Sequence, residues 1–428
     1  KMRENRILVN LMTLYIISLG FQSILNLPIV GHRIQISEFV FIPMALYSTI
    51  NYKKLSFKFA KIDYVILFYL ALNIVSCIWN ESELSSYLET LGKFYLFGVY
   101  FIFKTITSNW DISRLKDFVI NNFYLLGVLS SLVALLGWMV AMNTGENNLL
   151  ATTYENYPYF GTISRIRGVT PTPTMFAVLL SFCAFLLTAL IIEKKSKRKI
   201  NLFFLGIILI SSFLTFSKTF LLIISGIALL FFLKKNLLNR YKYLEAILIL
   251  SIFLSFIVSS HFLFFKSDSG WQHKLENTPF STNKILYKND KVIILESFYI
   301  FSKRCAVEIS KINPIIGIGP ANFNKSMNRL DKSEFPALNK LMGVDPHSVY
   351  FGTLAENGLL GLICVILMFY FLVKKLKRIK NKEPIFVYAL FMIFVLLLIE
   401  GITTDIMNFR NLWVIMGIVE GIRLEKNK

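Results

Sequence analysis

Twelve apolar runs, most of them near 20 residues long, dominate this chain. A helix of about 20 residues crosses the hydrocarbon core of a bilayer and satisfies its own backbone hydrogen bonds. Charged residues make up only 17% of the 428 residues, whereas about a quarter is typical of soluble domains. We therefore expect an all-α polytopic membrane protein with about twelve transmembrane helices. The runs lie near 7–25, 34–52, 63–79, 87–103, 117–142, 173–193, 200–216, 219–233, 244–265, 347–373, 384–403 and 409–422.

The basic residues predict how these helices are oriented. With the N-terminus inside, the cytoplasmic segments carry 28 of the 46 Lys and Arg residues, and the short outer segments carry five. Because Lys and Arg concentrate in cytoplasmic loops, this division predicts that both termini are inside. The net charge of +20 then reflects membrane topology, and no nucleic-acid partner is expected.

The longest segment between apolar runs divides the chain into three parts. Residues 1–265 hold helices one to nine, residues 266–346 form a large outer loop, and residues 347–428 hold the last three helices. Within the loop, mostly apolar residues recur every three or four positions, which predicts a helix and a mostly helical cap over the membrane. The stripe consists of Val292, Leu295, Tyr299, Ser302, Ala306, Ile309 and Ile312.

Three motifs follow one another at the end of this loop. Residues 313–323 read Asn-Pro-Ile-Ile-Gly-Ile-Gly-Pro-Ala-Asn-Phe, residues 346–350 read Pro-His-Ser-Val-Tyr, and residues 356–361 read Glu-Asn-Gly-Leu-Leu-Gly. Together they resemble the signature of the bacterial O-antigen polymerase and O-antigen ligase family of membrane glycosyltransferases. Arg167-Gly168 and the Ser217-Lys218 turn are weaker similarities to that family.

The resemblance implies a GT-C-like enzyme of the bacterial inner membrane that acts on its periplasmic face. Such enzymes move a glycan from undecaprenyl pyrophosphate to an acceptor hydroxyl, and they need no metal or other cofactor. The implied partners are the lipid-linked glycan donor and acceptor, the bilayer and a chain-length regulator protein. The chain departs from the family twice, because Lys218 and Tyr299 stand where the family has arginines.

His347 is the candidate catalytic base. Asp345 as N-cap and Pro346 as first helical residue predict that His347 lies in the first turn of the tenth span. The partial positive charge of a helix N-terminus disfavours imidazolium and leaves a neutral imidazole that can accept a proton. The alternative is a polar residue at the membrane surface with no chemical role.

A leaving pyrophosphate requires positive charge nearby, because negative charge builds on it in the transition state. Arg165 and Arg167 lie in the loop before the sixth span. Because they are two residues apart, their side chains point the same way if the chain is extended. Arg167, which precedes Gly168, is the stronger candidate of the two. The candidate substrate-binding residues are Arg167, Arg165, Lys218, Arg304 and Arg410.

Each of these cations also has a purely structural alternative. The arginine pair before the sixth span could contact lipid head groups, and Lys218 could anchor its turn at the membrane surface. Arg304 could pair with Glu308, and Arg410 could form an ion pair near Asp405.

Two further features lie inside the spans and favour structural roles. Glu356 is about a third of the way into the tenth span, and Lys93 in the fourth span is the one basic residue at comparable depth. A buried ion pair between them is expected, because an ionisable group at that depth needs a partner. Gly358 and Gly361 are expected to admit another helix at close range.

Three functions remain open from the sequence. A polymerase that extends a lipid-linked glycan and a ligase that transfers it to lipid A core use the same chemistry. The polymerase is favoured because the match is imperfect at both arginine positions. The third function is a transporter or flippase, which twelve spans would suit. Against it stand the missing internal repeat and the long outer loop.

Overall fold

The computed structural model describes residues 6–23, 27–29, 32–51, 58–157, 161–193, 197–234, 242–267, 281–335, 338, 345–379 and 383–423. This part of the chain forms fourteen α-helices and three small antiparallel sheets. The helices are α1 (Arg6–Ser18), α2 (Ile36–Ile50), α3 (Lys61–Trp79), α4 (Leu84–Thr107), α5 (Ile112–Thr144), α6 (Pro173–Glu193), α7 (Arg198–Phe213), α8 (Thr219–Lys234), α9 (Lys242–His261), α10 (Phe298–Ser310), α11 (Phe323–Met327), α12 (Val349–Ile379), α13 (Pro384–Glu400) and α14 (Arg410–Gly421).

Each of the twelve apolar runs overlaps one of these helices. Among the described residues, α3, α5, α6 and α12 are long and apolar enough to cross a membrane, and α1, α2, α8 and α13 are shorter apolar helices. These lengths and compositions support a multi-pass membrane protein. The number of spans and the orientation of the termini stay predictions.

Helix α6 lies at the centre of the bundle. In its most apolar 18-residue window, 89% of the residues are buried inside the protein, where it packs against α5, α7, α8 and α13. The corresponding window of α12 is only 39% buried, although α12 contacts α3, α10 and α13. One face of α12 is therefore open to the surroundings, as expected of a helix at the edge of a bundle in lipid.

The expectation of an all-α protein needs correction, because the described residues contain seven strands, and residues 262–265 at the end of the predicted ninth span belong to one of them. β7 is the central strand of the sheet in the large loop, with β5 and β6 on either side. The strands are β1 (Leu27–Ile29), β2 (His32–Ile34), β3 (Ala151–Tyr157), β4 (Gly161–Ile166), β5 (Phe262–Lys266), β6 (Ser281–Lys288) and β7 (Val292–Ser297). The loop is thus a mixed sheet-and-helix cap.

The predicted loop helix is correct only from Phe298 onward. Val292 and Leu295, which begin the helical stripe, lie in β7, where β5 pairs with both residues and β6 pairs with Leu295. The run Val292–Leu295 is rich in β-branched residues, which favour strands, and pairing on both sides outweighs the three-to-four spacing. The rest of the stripe up to Ile309 lies in α10, as predicted.

Helix α12 is broken at Gly358, whose φ of +65° and ψ of −167° are not helical. The break lies about 14 Å along the helix, since each residue rises 1.5 Å. Backbone of the outer loop enters it and replaces the missing helical hydrogen bonds. The bonds are Ile318 N to Ala355 O (3.0 Å), Gly319 N to Glu356 O (2.9 Å), Leu359 N to Pro314 O (2.8 Å) and Leu360 N to Ile315 O (3.2 Å).

Two glycines make this contact between backbones possible. A Cβ atom on Gly358 would lie 2.3 Å from the backbone of Ile315, and one on Gly317 would lie 2.3 Å from the backbone of Glu356. Asn80, just after α3, donates to the carbonyl of Gly317 at 3.0 Å. The 313–323 and 356–361 motifs are therefore two halves of one structure.

The expected roles of this region are accordingly corrected. Gly358 admits a loop and not another helix, whereas a Cβ on Gly361 would meet the Cβ of Asn357 in its own helix. The Lys93 ammonium donates to Asn73 Oδ1 at 2.8 Å, and among the described residues no ion pair joins it to Glu356. Lys93 of α4 reaches the side-chain amide of Asn73 because α3, which carries Asn73, packs directly against α4.

Candidate functional site

His347 lies in the turn before α12, not in its first helical turn as expected. Its φ of +45° is left-handed, and the helix begins at Val349. The Val349 N–H and the Ser348 Oγ both donate to the carbonyl of Gly401, at 2.9 and 3.0 Å. This anchor to the end of α13 decides where α12 starts. A left-handed non-glycine residue costs about 1–3 kcal/mol, and such strain concentrates at functional sites.

Two aromatic rings of α10 surround the imidazole of His347. Its centroid lies 5.2 Å from that of Phe298 and 5.8 Å from that of Tyr299, with both rings nearly perpendicular to it. Ser302 ties the same helix to the turn by donating to the carbonyl of Pro346 at 3.1 Å. The position of His347 is thus determined by the loop cap.

The environment keeps the imidazole of His347 neutral. Burial lowers its pKa from the usual value, and the negative charge of Asp345 opposes this only in part. Burial, more than the helix end, is therefore the cause. In the described parts of the chain, neither ring nitrogen of His347 has a hydrogen-bond partner. A neutral ring nitrogen is free to accept a proton.

Lys218 approaches the same aromatic group from the turn between α7 and α8. Its ammonium lies 5.6 Å from the centroid of the Tyr299 ring, within cation–π range. Burial lowers the pKa of Lys218 to about 8, Glu400 opposes that shift, and Arg165 adds to it. Lys218 is therefore a partly desolvated cation that stays charged at neutral pH.

Arg165 belongs to the same group of residues. Its Nε donates to the carbonyl of Thr215 at 2.8 Å, in the turn that carries Lys218. The N–H of Ile166 donates to Leu214 in the same turn, at 3.0 Å. The hairpin of β3 and β4 thus holds a second positive charge beside Lys218. Arg165 and Lys218 were both predicted from the sequence, but their proximity is visible only in the structure.

Lys303 and His261 are further members of the site that sequence reasoning missed. The Lys303 ammonium contacts Nε2 of His261, and Nδ1 of His261 lies 2.9 Å from the carbonyl of Ile257. A carbonyl only accepts, so Nδ1 carries the proton and Nε2 accepts from Lys303. Burial lowers the pKa of Lys303 to about 8.

A signal for Lys303 was present in the sequence. It follows Tyr299 by four residues, which puts both side chains on one face of α10. The ring of His261 lies 6.5 Å from that of Tyr299, between centroids. Tyr299 is thus the residue around which His347, Lys218 and His261 assemble.

The remaining three candidates bind protein groups elsewhere. Arg167 donates to the carbonyls of Leu149 and Asn148, both at 3.1 Å, so it does not share the turn that Arg165 contacts. Arg410 pairs with Glu38 at 2.7 Å and not with Asp405. Arg167 and Arg410 bind groups that are 18 or more residues away in the chain, which spacing alone cannot reveal.

Arg304 also has a structural partner. Its guanidinium donates to Glu296 at 3.2 Å, and the expected partner Glu308 binds Lys311 at 2.7 Å instead. Glu296 accepts from Thr282 as well, at 3.1 Å, so Arg304 joins α10 to the sheet. Its position supports the cap that carries Tyr299.

The comparisons with known proteins connect this site with a family. Residues 202–366 match the family model described as O-antigen ligase, and no curated protein matches the chain. The matched segment runs from α7 into α12 and covers less than half of the chain. It includes the α7–α8 turn, the loop cap, His347 and the break in α12.

This match supports a relationship of the chain to the O-antigen ligase and polymerase family. Members of that family are glycosyltransferase-like enzymes of lipopolysaccharide assembly. The chain is thereby linked to O-antigen or lipopolysaccharide assembly at a membrane. The match leaves polymerase and ligase unseparated.

Proposed function

We propose that this protein transfers a glycan from polyprenyl pyrophosphate to an acceptor hydroxyl at the outer face of a bacterial inner membrane. The observation that carries the proposal is the grouping of one neutral histidine with partly buried cations around Tyr299. A base and positive charge are the two groups that this chemistry requires.

In the proposed step, the acceptor oxygen attacks the anomeric carbon of the donor sugar. The bond between that carbon and the pyrophosphate oxygen breaks, and the acceptor proton passes to a ring nitrogen of His347. Lys218 and Arg165 stabilise the negative charge that develops on the leaving pyrophosphate. The low exposure of Lys218 and Arg165 strengthens their electrostatic interaction with the pyrophosphate, because water screens that interaction less.

The acceptor is either a lipid-linked repeat unit, as for a polymerase, or lipid A core, as for a ligase. The family description that matches residues 202–366 favours the ligase, whereas the departures at Lys218 and Tyr299 favoured the polymerase. For a polymerase, a chain-length regulator protein would be a further partner. Both alternatives use the same donor and the same residues.

One assay tests the proposal and separates the acceptors. Purified protein receives a lipid-pyrophosphate glycan donor together with either acceptor. Elongated lipid-linked glycan identifies a polymerase, and glycan attached to lipid A core identifies a ligase. Absence of transfer to both acceptors by folded protein would contradict the proposal, and movement of intact donor across vesicles would favour a flippase.

The break in α12 resembles the interrupted helices of transporters, which expose half-helix ends to a substrate. Here the freed groups next to Gly358 are already bonded to residues 314–319. An occupied break offers no such binding site. This observation favours an enzyme over a transporter.

The two arginines of the hairpin should differ in effect. Arg165→Ala is expected to lower the transfer rate about 10- to 100-fold, because it removes a charge beside Lys218. Arg167→Ala is expected to lower the unfolding temperature instead, since it leaves the Leu149 and Asn148 carbonyls unpaired. The measurements are transfer rate per folded protein and thermal unfolding. Normal transfer by Arg165→Ala would remove this hairpin from the site.

The transfer rate should have a bell-shaped pH dependence. On the acid side the transfer rate falls as His347 becomes protonated. Because burial lowers the pKa of His347, this fall lies below pH 6.5, the usual pKa of a histidine. On the alkaline side it falls near pH 8 as Lys218 loses its proton. Lys218→Arg should remove the alkaline limb, since arginine stays charged, while the matched exposed variant Lys311→Arg should keep it. An alkaline limb that persists in Lys218→Arg would contradict this role.

A further inference from the structure

A cationic cavity lies at the end of α12 opposite His347. Its volume is about 260 Å³. Lys61, at the start of α3, forms one wall, and Lys374, Lys375 and Arg378 on the last turns of α12 form the other. Glu420 of α14 is the one acidic residue among the lining side chains.

The charges of this cavity are unbalanced. Glu420 pairs with Lys375 at 3.1 Å, and four basic side chains against one acidic side chain leave three positive charges. Among the described residues, no carboxylate lies within ion-pair distance of Lys61, Lys374 or Arg378. The neighbouring Asp63 is already neutralised by Lys104. Closely spaced cations without counter-charges favour a polyvalent or phosphate-bearing anion.

The surface next to the cavity is apolar and exposed. On α3, Tyr64 and Phe68 expose 63% and 53% of their surface, and on α12, Ile366 and Tyr370 each expose 52%. These exposed apolar side chains belong to the two helices that carry most of the basic residues of the cavity, and α3 and α12 pack against each other. A cationic cavity between helices that expose apolar side chains fits a molecule with an anionic head and hydrocarbon tails.

We propose that the cavity binds the phosphate of an anionic phospholipid, such as phosphatidylglycerol, with its acyl chains against the exposed apolar side chains of α3 and α12. In the predicted orientation, this end of α12 faces the cytoplasmic leaflet, where basic pockets between helices bind anionic head groups. The bound lipid holds the second half of α12, residues 359–379, against α3. This inference does not depend on the proposed transfer reaction.

The test is thermal unfolding of the full-length protein in detergent with added lipid. Phosphatidylglycerol should raise the unfolding temperature in a concentration-dependent way. Phosphatidylcholine with the same acyl chains and inorganic phosphate alone should not. The Lys374→Gln/Arg378→Gln variant should need roughly 10- to 30-fold more phosphatidylglycerol for the same shift, because two head-group contacts are lost.

The matched control is Lys199→Gln/Lys377→Gln. It removes the same charge from exposed residues of the same predicted face that do not line the cavity, and it should respond like the wild type. If the cavity variant does not fold, Lys61→Gln tests the opposite wall and should weaken the response in the same direction. An unchanged response in these cavity variants, or an equal loss in the control, would overturn the proposal. A shift produced by inorganic phosphate alone would indicate a free-anion site and overturn the lipid assignment.

Discussion

Replacement of His347 by alanine should lower the rate of glycan transfer about 10²–10⁴-fold, the usual contribution of general-base catalysis. The imidazole is neutral because it is buried against Phe298 and Tyr299, and its ring nitrogens are free of partners among the described residues. The other side chains of the group take the acceptor proton less readily: both ring nitrogens of His261 are bonded, to Ile257 and Lys303, and Lys218 is charged at neutral pH.

The measurement is transfer from a lipid-pyrophosphate donor by purified protein, with thermal unfolding and donor binding recorded alongside. His347→Ala should unfold near the wild-type temperature and still bind donor. His347→Asn separates chemistry from backbone strain, since asparagine tolerates φ of +45° but cannot act as a base. His32→Ala, in the outer hairpin of β1 and β2, is the control and should transfer normally. A stable His347→Ala protein that transfers at the wild-type rate would end the proposed mechanism.

Replacement of Gly358 by alanine should destabilise the protein by about 2–6 kcal/mol, because backbone strain and overpacking both contribute. The new Cβ would lie 2.3 Å from the backbone of Ile315, which cannot move aside as a flexible side chain could. The φ of +65° with a ψ of −167° belongs to a region that only glycine adopts readily.

Gly206→Ala is the matched control, since it lies within α7 and its Cβ would meet nothing within 4 Å. Its unfolding temperature should equal or slightly exceed that of the wild type, because alanine favours the helix. An unfolding temperature of Gly358→Ala equal to that of Gly206→Ala would show that the loop does not occupy the break.

The two variants should fail in different ways. The loop that fills the break continues into the cluster of Phe301, Ile309 and Ile318, which packs α10 onto Ala355 of α12. Gly358→Ala should therefore displace Tyr299, so that activity is lost together with stability. His347→Ala should lose activity alone.

Periodicity and composition determined a large part of the fold. Apolar runs of membrane-spanning length each overlap a helix, because hydrocarbon burial and internal backbone bonding leave a chain of this composition few alternatives. The stripe from Tyr299 to Ile309 correctly predicted most of α10. The motif around His347 identified the candidate base before any geometry was known.

Interactions between distant segments were decided only by the tertiary structure. Strand pairing turned Val292–Leu295 into β7, and the anchor to Gly401 moved the start of α12 past His347. Spacing within one helix carries no information about a partner that lies in another segment of the chain. The break at Gly358 is a further example, since its loop partner has no helical pattern of its own.

The same limit applies to the site. The sequence by itself made His347, Lys218 and Arg165 candidates, His347 through the motif that resembles the family and the two cations because basic residues are unusual in predicted outer turns. Only the tertiary structure joined them around Tyr299 and added Lys303 with His261, while it assigned Glu38 to Arg410. Charge alone makes many pairings equally favourable, and the packing of helices selects one by fixing which charged groups come within a few ångströms of each other.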